Sequence, residues 1–259
     1  MQKGRLNKRL GQHFLDNVQA LRLEATLIET EGKDILEIGA GDGRLSSELL
    51  AQNPKSLTLI EIDKKWAAHL AKKFSSEKSV QILNQDFLEL PENFKTQVIY
   101  GNIPYNITSK ILAKLAKMDF ENCILCMQKE VVERICAPPS SKRYGRLSVF
   151  CQLHFYTNPL HEIPREFFTP PPKVDSQLVQ LIPKDASHLP KNLEQISAAL
   201  FSHRLASAKN ALFHSRKMFG WQKEQARAHI SKRLKTEKKV FMLSPGEVVE
   251  IAKAFEDAK

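Results

Sequence analysis

Four consecutive residues, Asn102-Ile103-Pro104-Tyr105, carry the side chains of this 259-residue chain best suited to chemistry. Ile103 precedes a proline, which pushes its backbone into an extended conformation. An extended Ile103 aims its carbonyl oxygen beside the side-chain oxygen of Asn102. Two acceptors placed in this way can hold the two hydrogens of an exocyclic amine. Tyr105 adds a π-face on which a flipped-out base can stack. The amino group of a base is a poor nucleophile because its lone pair is delocalised into the ring. Acceptors on its hydrogens favour a more tetrahedral nitrogen and steer the lone pair towards an electrophile. Such a displacement needs positioning and electrostatics rather than a strong general base. Asn and Pro are also ordinary turn formers, so the same four residues would equally end a strand.

A second constellation lies upstream. Gly39-Ala40-Gly41-Asp42-Gly43 lets backbone approach a ligand without side-chain clashes. Glu61, 22 residues after Gly39, is placed to accept hydrogen bonds from ribose hydroxyls, and Asp86 from an adenine amino group. The turn departs from the dinucleotide fingerprint, because position 44 is Arg44 rather than Gly or Ala. Asp42 in mid-turn would also repel a pyrophosphate. An adenosine cofactor without phosphates fits better, and S-adenosylmethionine is one: adenosine, a sulfonium and an amino-acid tail.

Elements must bring these residues together. Val18–Glu31 reads as a helix. Short apolar runs at 34–38, 56–62, 80–83, 97–100 and 123–127 alternate with helical segments at 45–50, 64–74 and 107–118. Strands alternating with helices predict an α/β doubly wound parallel sheet, whose ligands bind beyond the carboxyl ends of the strands. Gly39, Glu61, Asp86 and Asn102 all fall at such ends. Leu147–Phe155 and Ser176–Ile182 read as further strands, with the stiff Thr169-Pro170-Pro171-Pro172 stretch between them. From about 190 the pattern becomes helical: 192–201, 206–214, 222–230 and a helix opened by the Ser244-Pro245-Gly246-Glu247 capping box. The expected organisation is a basic tail over 1–10, a sheet domain over 11–185 and a smaller, all-helical, basic domain over 186–259.

Charge follows that division. The net +10 resolves into +4 over residues 1–10, −1 over 11–183 and +7 over 184–259. Basic ends on a neutral body point to a polyanion such as nucleic acid. Cys123, Cys126, Cys136 and Cys151 include one C-x-x-C but no second pair and no His pair at finger spacing, so free thiols in a reducing cytoplasm are expected and no metal. No apolar run approaches the ~20 residues of a membrane span, and no secretory signal follows the basic start.

Several motifs in order and spacing resemble the ribosomal RNA adenine N6,N6-dimethyltransferase family, of the KsgA/RsmA type. They are Gly11-Gln12-His13-Phe14-Leu15, Glu37-Ile38-Gly39-Ala40-Gly41-Asp42-Gly43, Glu61-Ile62-Asp63, Gln85-Asp86 and Asn102-Ile103-Pro104-Tyr105-Asn106-Ile107. Downstream stand Gln128-Lys129-Glu130-Val131-Val132, Tyr144-Gly145-Arg146-Leu147-Ser148-Val149 and the run from Phe168 to Ser176. The resemblance implies a Rossmann-like class I S-adenosylmethionine-dependent methyltransferase domain. It implies dimethylation of the N6 amines of two adjacent adenosines in a hairpin loop near the 3′ end of 16S rRNA, on the assembling small subunit, by a cytoplasmic monomer. His13, Leu15, Gly39, Gly41, Glu61, Asp86 and Asn102 would contact the cofactor. Asn102, Ile103, Pro104 and Tyr105 would form the catalytic loop, with Phe168 closing on the target base opposite Tyr105. Lys8, Arg9, Lys142, Arg143, Arg146, Arg204, Lys209, Arg216 and Lys217 would meet RNA.

Three departures from the family pattern stand out. Ile103 stands where leucine is usual, in a main-chain role. His13 replaces the commoner asparagine. Leu205 and Ala206 follow Arg204 where the family carries further basic residues, so Lys209, Arg216, Lys217, Lys232, Arg233, Lys235, Lys238 and Lys239 are the candidates to compensate. Alternative readings are a large-subunit adenine methyltransferase of the resistance type, a non-catalytic RNA- or DNA-binding factor that retains the fold, and a nicotinamide dehydrogenase, which Arg44 disfavours.

Overall fold

The computed structural model describes residues 13–256. Lys8 and Arg9 therefore lie outside the described residues. The first of two compact units comprises residues up to Val132 together with Tyr156–Pro183. It begins with a two-residue strand, β1 (Phe14–Leu15), and a helix, α1 (Val18–Ala25). Asn17 caps α1 by accepting from Ala20 N at 2.9 Å. The helix stops well short of Glu31, because Thr26 turns its hydroxyl back onto the carbonyls of Arg22 and Leu23.

Alternation then follows as expected: β2 (Asp34–Ile38), α2 (Arg44–Leu50), β3 (Ser56–Ile60), α3 (Lys64–Lys73), β4 (Val80–Leu83), β5 (Val98–Asn102), α4 (Thr108–Leu115) and β6 (Asn122–Gln128). Strands β2 to β6 pair in parallel. The apolar runs of β2, β3, β5 and β6 are buried on both faces, with Leu36, Leu57, Ile99 and Ile124 at 1% exposure or less, and β4 at the edge is half-buried. Each such side chain contributes on the order of 1.5–3 kcal/mol through burial.

Two later strands complete the sheet, β7 (Phe155–Ile163) and β9 (Ser176–Pro183), and a two-residue strand β8 (Phe168–Thr169) pairs with β1. The sheet order is β4-β3-β2-β5-β6-β9-β7, with β9 antiparallel to β6. The order reverses at β2 and β5, so the residues just beyond those two strands share one crevice.

The stretch 147–155 departs from expectation. It forms a helix, α6 (Arg146–His154), rather than a strand. Its Val, Phe and Cys favour strands, but Ser148 decides the matter locally. Its hydroxyl accepts from Gly145 N at 2.9 Å and donates to Arg134 O at 2.6 Å, which closes the first turn. The strand in this region is β7, which was not foreseen. It lies at the sheet edge, where Asn158-Pro159 is tolerated because no ladder partner needs the missing N–H.

The second unit is larger than the expected 186–259. It takes in residues 133–155 as well as those from Lys184 on. The chain enters it within α5 (Lys129–Ile135). Helices α7 (Leu193–Phe201), α8 (Ala208–His214), α9 (Lys223–Arg233) and α10 (Pro245–Ala254) build its core. Ala137, Tyr144 and Val149 are buried in that core beside Ile196, Leu212, Trp221 and Val248, which is why the earlier segment belongs with them. The capping box of α10 forms as read, Glu247 N donating to Ser244 Oγ and Ser244 N to Glu247 Oε2.

Candidate active site

A single cleft in the first unit gathers His13, Leu15, Gly39, Gly41, Glu61, Asp86, Asn102, Ile103, Pro104, Tyr105 and Phe168. Every residue expected to hold the cofactor or act on the base therefore lines one space. It lies at the carboxyl ends of β2, β3 and β5, where the sheet order reverses.

The glycine turn is wound tightly on itself. Gly39 and Gly41 have φ of +70° and +56°, a left-handed region that disfavours other residues. A Cβ on Gly39 would meet nothing within 4 Å, so open space faces that position. The N–H groups of Gly39 and Ala40 donate to Ile60 O, that of Gly43 to Ala40 O, and that of Gly41 to Glu61 Oε2 at 2.9 Å. A phosphate cradle needs such donors aimed at the ligand, and here they are taken internally. Asp42 in mid-turn pairs with Arg44 Nε at 2.9 Å, which offsets part of the repulsion it would offer an anion.

Glu61 is 3% exposed and locks two elements together. Besides Gly41 it accepts from Asp63 N at 2.8 Å, at the start of α3. Burial raises its carboxyl above the usual range, against the lowering effect of those backbone donors. Glu37, also on the cleft, is 3% exposed and accepts from Ser46 Oγ at 2.6 Å. Burial pushes its pKa up to about 8. Asp86 Oδ1 accepts from Leu88 N at 2.9 Å, which fixes the turn after β4.

Asn102 ends β5, and its Oδ1 is buried without a hydrogen-bond partner. A buried acceptor with no partner costs about 1–3 kcal/mol, and this one sits on the cleft. Ile103 donates its N–H to Cys126 O at 3.0 Å and is 2% exposed. Its side chain thus packs inward, as a main-chain role requires. Tyr105 Oη lies 2.9 Å from Ser176 Oγ, and burial raises its phenol above the usual value. Phe168 lines the same cleft but is 5% exposed and packs in the sheet core. The ring nearly parallel to Tyr105 is His13, at 5.9 Å and 23°, with His13 Nδ1 held 2.7 Å from Pro170 O.

These features suit an adenosine sulfonium better than a nucleotide. The open space at Gly39, the buried carboxyls and the internal bonding of the Gly39, Ala40, Gly41 and Gly43 N–H groups match S-adenosylmethionine. The family described as ribosomal RNA adenine dimethylase matches residues 3–257. The chain belongs to that family.

Relatives and solved structures agree on the family fold. A ribosomal RNA small subunit methyltransferase A from Gloeobacter violaceus is 38% identical over 79% of this chain and 78% of its own. A dimethyladenosine transferase from Plasmodium falciparum has a TM-score of 0.81 at 25% identity, over 94% of this chain and 98% of that one. The 23S rRNA methyltransferase ErmE has a TM-score of 0.66 at 25% identity, over 93% and 98%.

Family membership sharpens attention on the basic residues of the second unit. Lys142 and Lys217 are exposed. Arg143 pairs with Glu133, Arg146 with Glu194 and Lys209 with Glu237. Arg216 donates to Phe213 O and lies over the Phe213 ring. Arg204 is turned inward: its Nη2 donates to the carbonyls of Ser141, Lys142 and Tyr144 at 3.1–3.2 Å. Arg204, expected on RNA, here bonds the loop that carries Lys142.

Sequence reasoning missed four contributors. Phe14 packs on Gly41, and Asp16 joins Arg44 while accepting from Thr169 Oγ1 at 2.9 Å. Ser176 was visible only as the end of a motif. Glu24 is fully buried with neither carboxyl oxygen partnered, and its pKa is pushed up to about 8 by burial and then by Glu37. An acid inside an otherwise apolar helical stripe was the one signal for Glu24. Among the described residues no group of His, Cys, Asp and Glu is placed to hold a metal, and no helix is long and apolar enough to cross a membrane.

Proposed function

We propose that this chain is an S-adenosylmethionine-dependent RNA methyltransferase that dimethylates the N6 amines of two adjacent adenosines in a hairpin loop near the 3′ end of 16S rRNA, on the assembling small subunit. The observation that carries the reading is Asn102 Oδ1, a buried acceptor on the cleft with no partner. Such a group is costly to fold unless a ligand donor completes it. An exocyclic amine is that donor.

In this reading Glu61 and Asp86 hold the adenosine of the cofactor, with His13, Leu15, Gly39 and Gly41 around it. The cofactor supplies an electrophilic methyl group. Asn102 Oδ1 and the Ile103 carbonyl take the two amine hydrogens and orient the nitrogen lone pair. Tyr105 stacks on the base, and Phe168 walls the cleft. A loop target fits, because an unpaired base costs less to extrude. The second unit and the basic N-terminal residues supply attraction for phosphate. The favoured setting is the cytoplasm, with the chain acting as a monomer.

The test is incubation with labelled cofactor and small subunits lacking the modification, with large-subunit RNA in parallel, followed by nucleoside analysis. Dimethyladenosine in the small-subunit RNA alone is expected. Its appearance only in large-subunit RNA, or in neither, overturns the proposal.

A further inference from the structure

Tyr105 is held at two points. Its ring lies nearly parallel to His13, and its hydroxyl reaches Ser176 Oγ at 2.9 Å. Ser176 is 1% exposed and opens β9, where its backbone is paired with Gln128 of β6. Two strands of the sheet therefore fix the Ser176 oxygen. Tyr105, by contrast, sits in the connection between β5 and α4, where the backbone is not laddered. Thr108 bonds back to the Pro104 and Tyr105 carbonyls, and among the described residues Ser176 alone ties the end of the tyrosine side chain to the sheet.

From this geometry we infer that Ser176 is a positioning residue for methyl transfer: it fixes the direction of the Tyr105 side chain, and so the place of the ring on which the target base stacks, while the stacked His13 ring sets its plane. The inference rests on the adenine-methylation reading above and adds a residue to it. The phenol oxygen lies on the axis about which the ring flips, so anchoring it stops the swing about the first side-chain bond, and packing on His13 limits the second before the base arrives. The base amine then meets Asn102 and Ile103 in one orientation rather than several. Displacement at a methyl carbon is sensitive to such alignment. Ser176 itself does not touch the reacting atoms, so its removal acts on turnover and not on cofactor affinity.

Ser176→Ala, Tyr105→Phe and the double variant are compared under steady-state conditions, with cofactor affinity measured by calorimetry. Each single change is expected to lower kcat by about three- to tenfold, the scale of one lost hydrogen bond. KM for RNA and the Kd for cofactor stay within twofold, and the double variant is no slower than either single one. The inference is overturned if either single variant turns over at the wild-type rate. It is also overturned if the losses multiply in the double variant, or if the loss falls on KM or cofactor Kd. Tyr105→Phe leaves the ring and the strand pairing intact, so it carries the test even should Ser176→Ala fold poorly. A wild-type protein that does not methylate refutes the functional reading instead.

Discussion

Replacing Gly41 by alanine tests whether the glycine turn is shaped for the cofactor or only for packing. At φ +56° an L-residue bears about 1–2 kcal/mol of strain. The new Cβ would stand 2.4 Å from Phe14 Cε1 and 3.1 Å from Cδ1. Ordinary carbon contacts lie at ~3.5–4.0 Å, so the ring must retreat by about 1 Å. An overpacked site of this kind costs a further ~1–3 kcal/mol when nothing moves. The cheapest relaxation is at Phe14, because β1 has only two residues and pairs only with β8. If Phe14 swings away it draws His13 and Leu15 off the cleft, while the seven-stranded sheet keeps its pairing. The expected result is a cofactor Kd raised by about 30-fold or more, the equivalent of ~2 kcal/mol, with a melting temperature only a few degrees lower. Calorimetry of cofactor binding measures it directly. Phe14→Leu in the same chain removes the ring edge and recovers part of the affinity. Wild-type affinity in Gly41→Ala would refute the reasoning, as would a double variant that binds no tighter than Gly41→Ala alone.

Other substitutions have equally definite outcomes. Asn102→Ala should abolish methylation and leave RNA binding within twofold; because its oxygen has no partner, the melting temperature should not fall. Glu24 titrates near 8 in the fold and near 4.5 when unfolded, raised first by burial and then by Glu37. The folded state therefore holds the proton more tightly, and the stability this contributes is complete below about pH 4.5 and lost as pH rises towards 8. Glu24→Met should consequently raise the melting temperature more at pH 8 than at pH 5, and an equal gain at both would contradict the assignment. Arg204→Ala should destabilise by ~2–4 kcal/mol, seen in thermal melts, since three carbonyls lose their donor. Lys142→Ala should leave the melt unchanged and reduce the slope of log affinity against log salt by about 0.7–0.9.

Legibility in the sequence followed how local the cause was. The central parallel strands could be read because each is a short, mainly apolar run followed by a turn residue, and burial on both faces demands that pattern. Gly39, Glu61, Asp86 and Asn102 could be placed because a strand end is a local feature and a doubly wound sheet brings strand ends together. The helix at Arg146–His154 escaped, since its residues favour strands and a single serine hydroxyl, answered by Arg134 from an earlier helix, closes its first turn. Strand β7 was hidden by a proline that only an edge position makes harmless. Asp16 with Arg44, Phe14 on Gly41, and Tyr105 with Ser176 join residues 27 to 71 positions apart. Nothing in the composition of either partner announces such a pair.

The basic residues sort by what each would give up to meet a phosphate. Arg146 and Glu194 are 51% and 86% exposed, and Arg143 and Glu133 are 48% and 34% exposed. Exposed pairs of this kind are worth about 0–1 kcal/mol, so exchanging the carboxylate for a phosphate costs little. Arg204 is different. Its guanidinium satisfies three carbonyls, lies 5.5 Å from the Phe241 ring and buries its Nε. Freeing it would orphan those groups, at a cost a single phosphate contact does not offset. The departure at Leu205 fits that arrangement. Arg204 holds the loop in place, Leu205 beside it is 68% exposed and uncharged, and the exposed positive charge of this loop lies on Lys142.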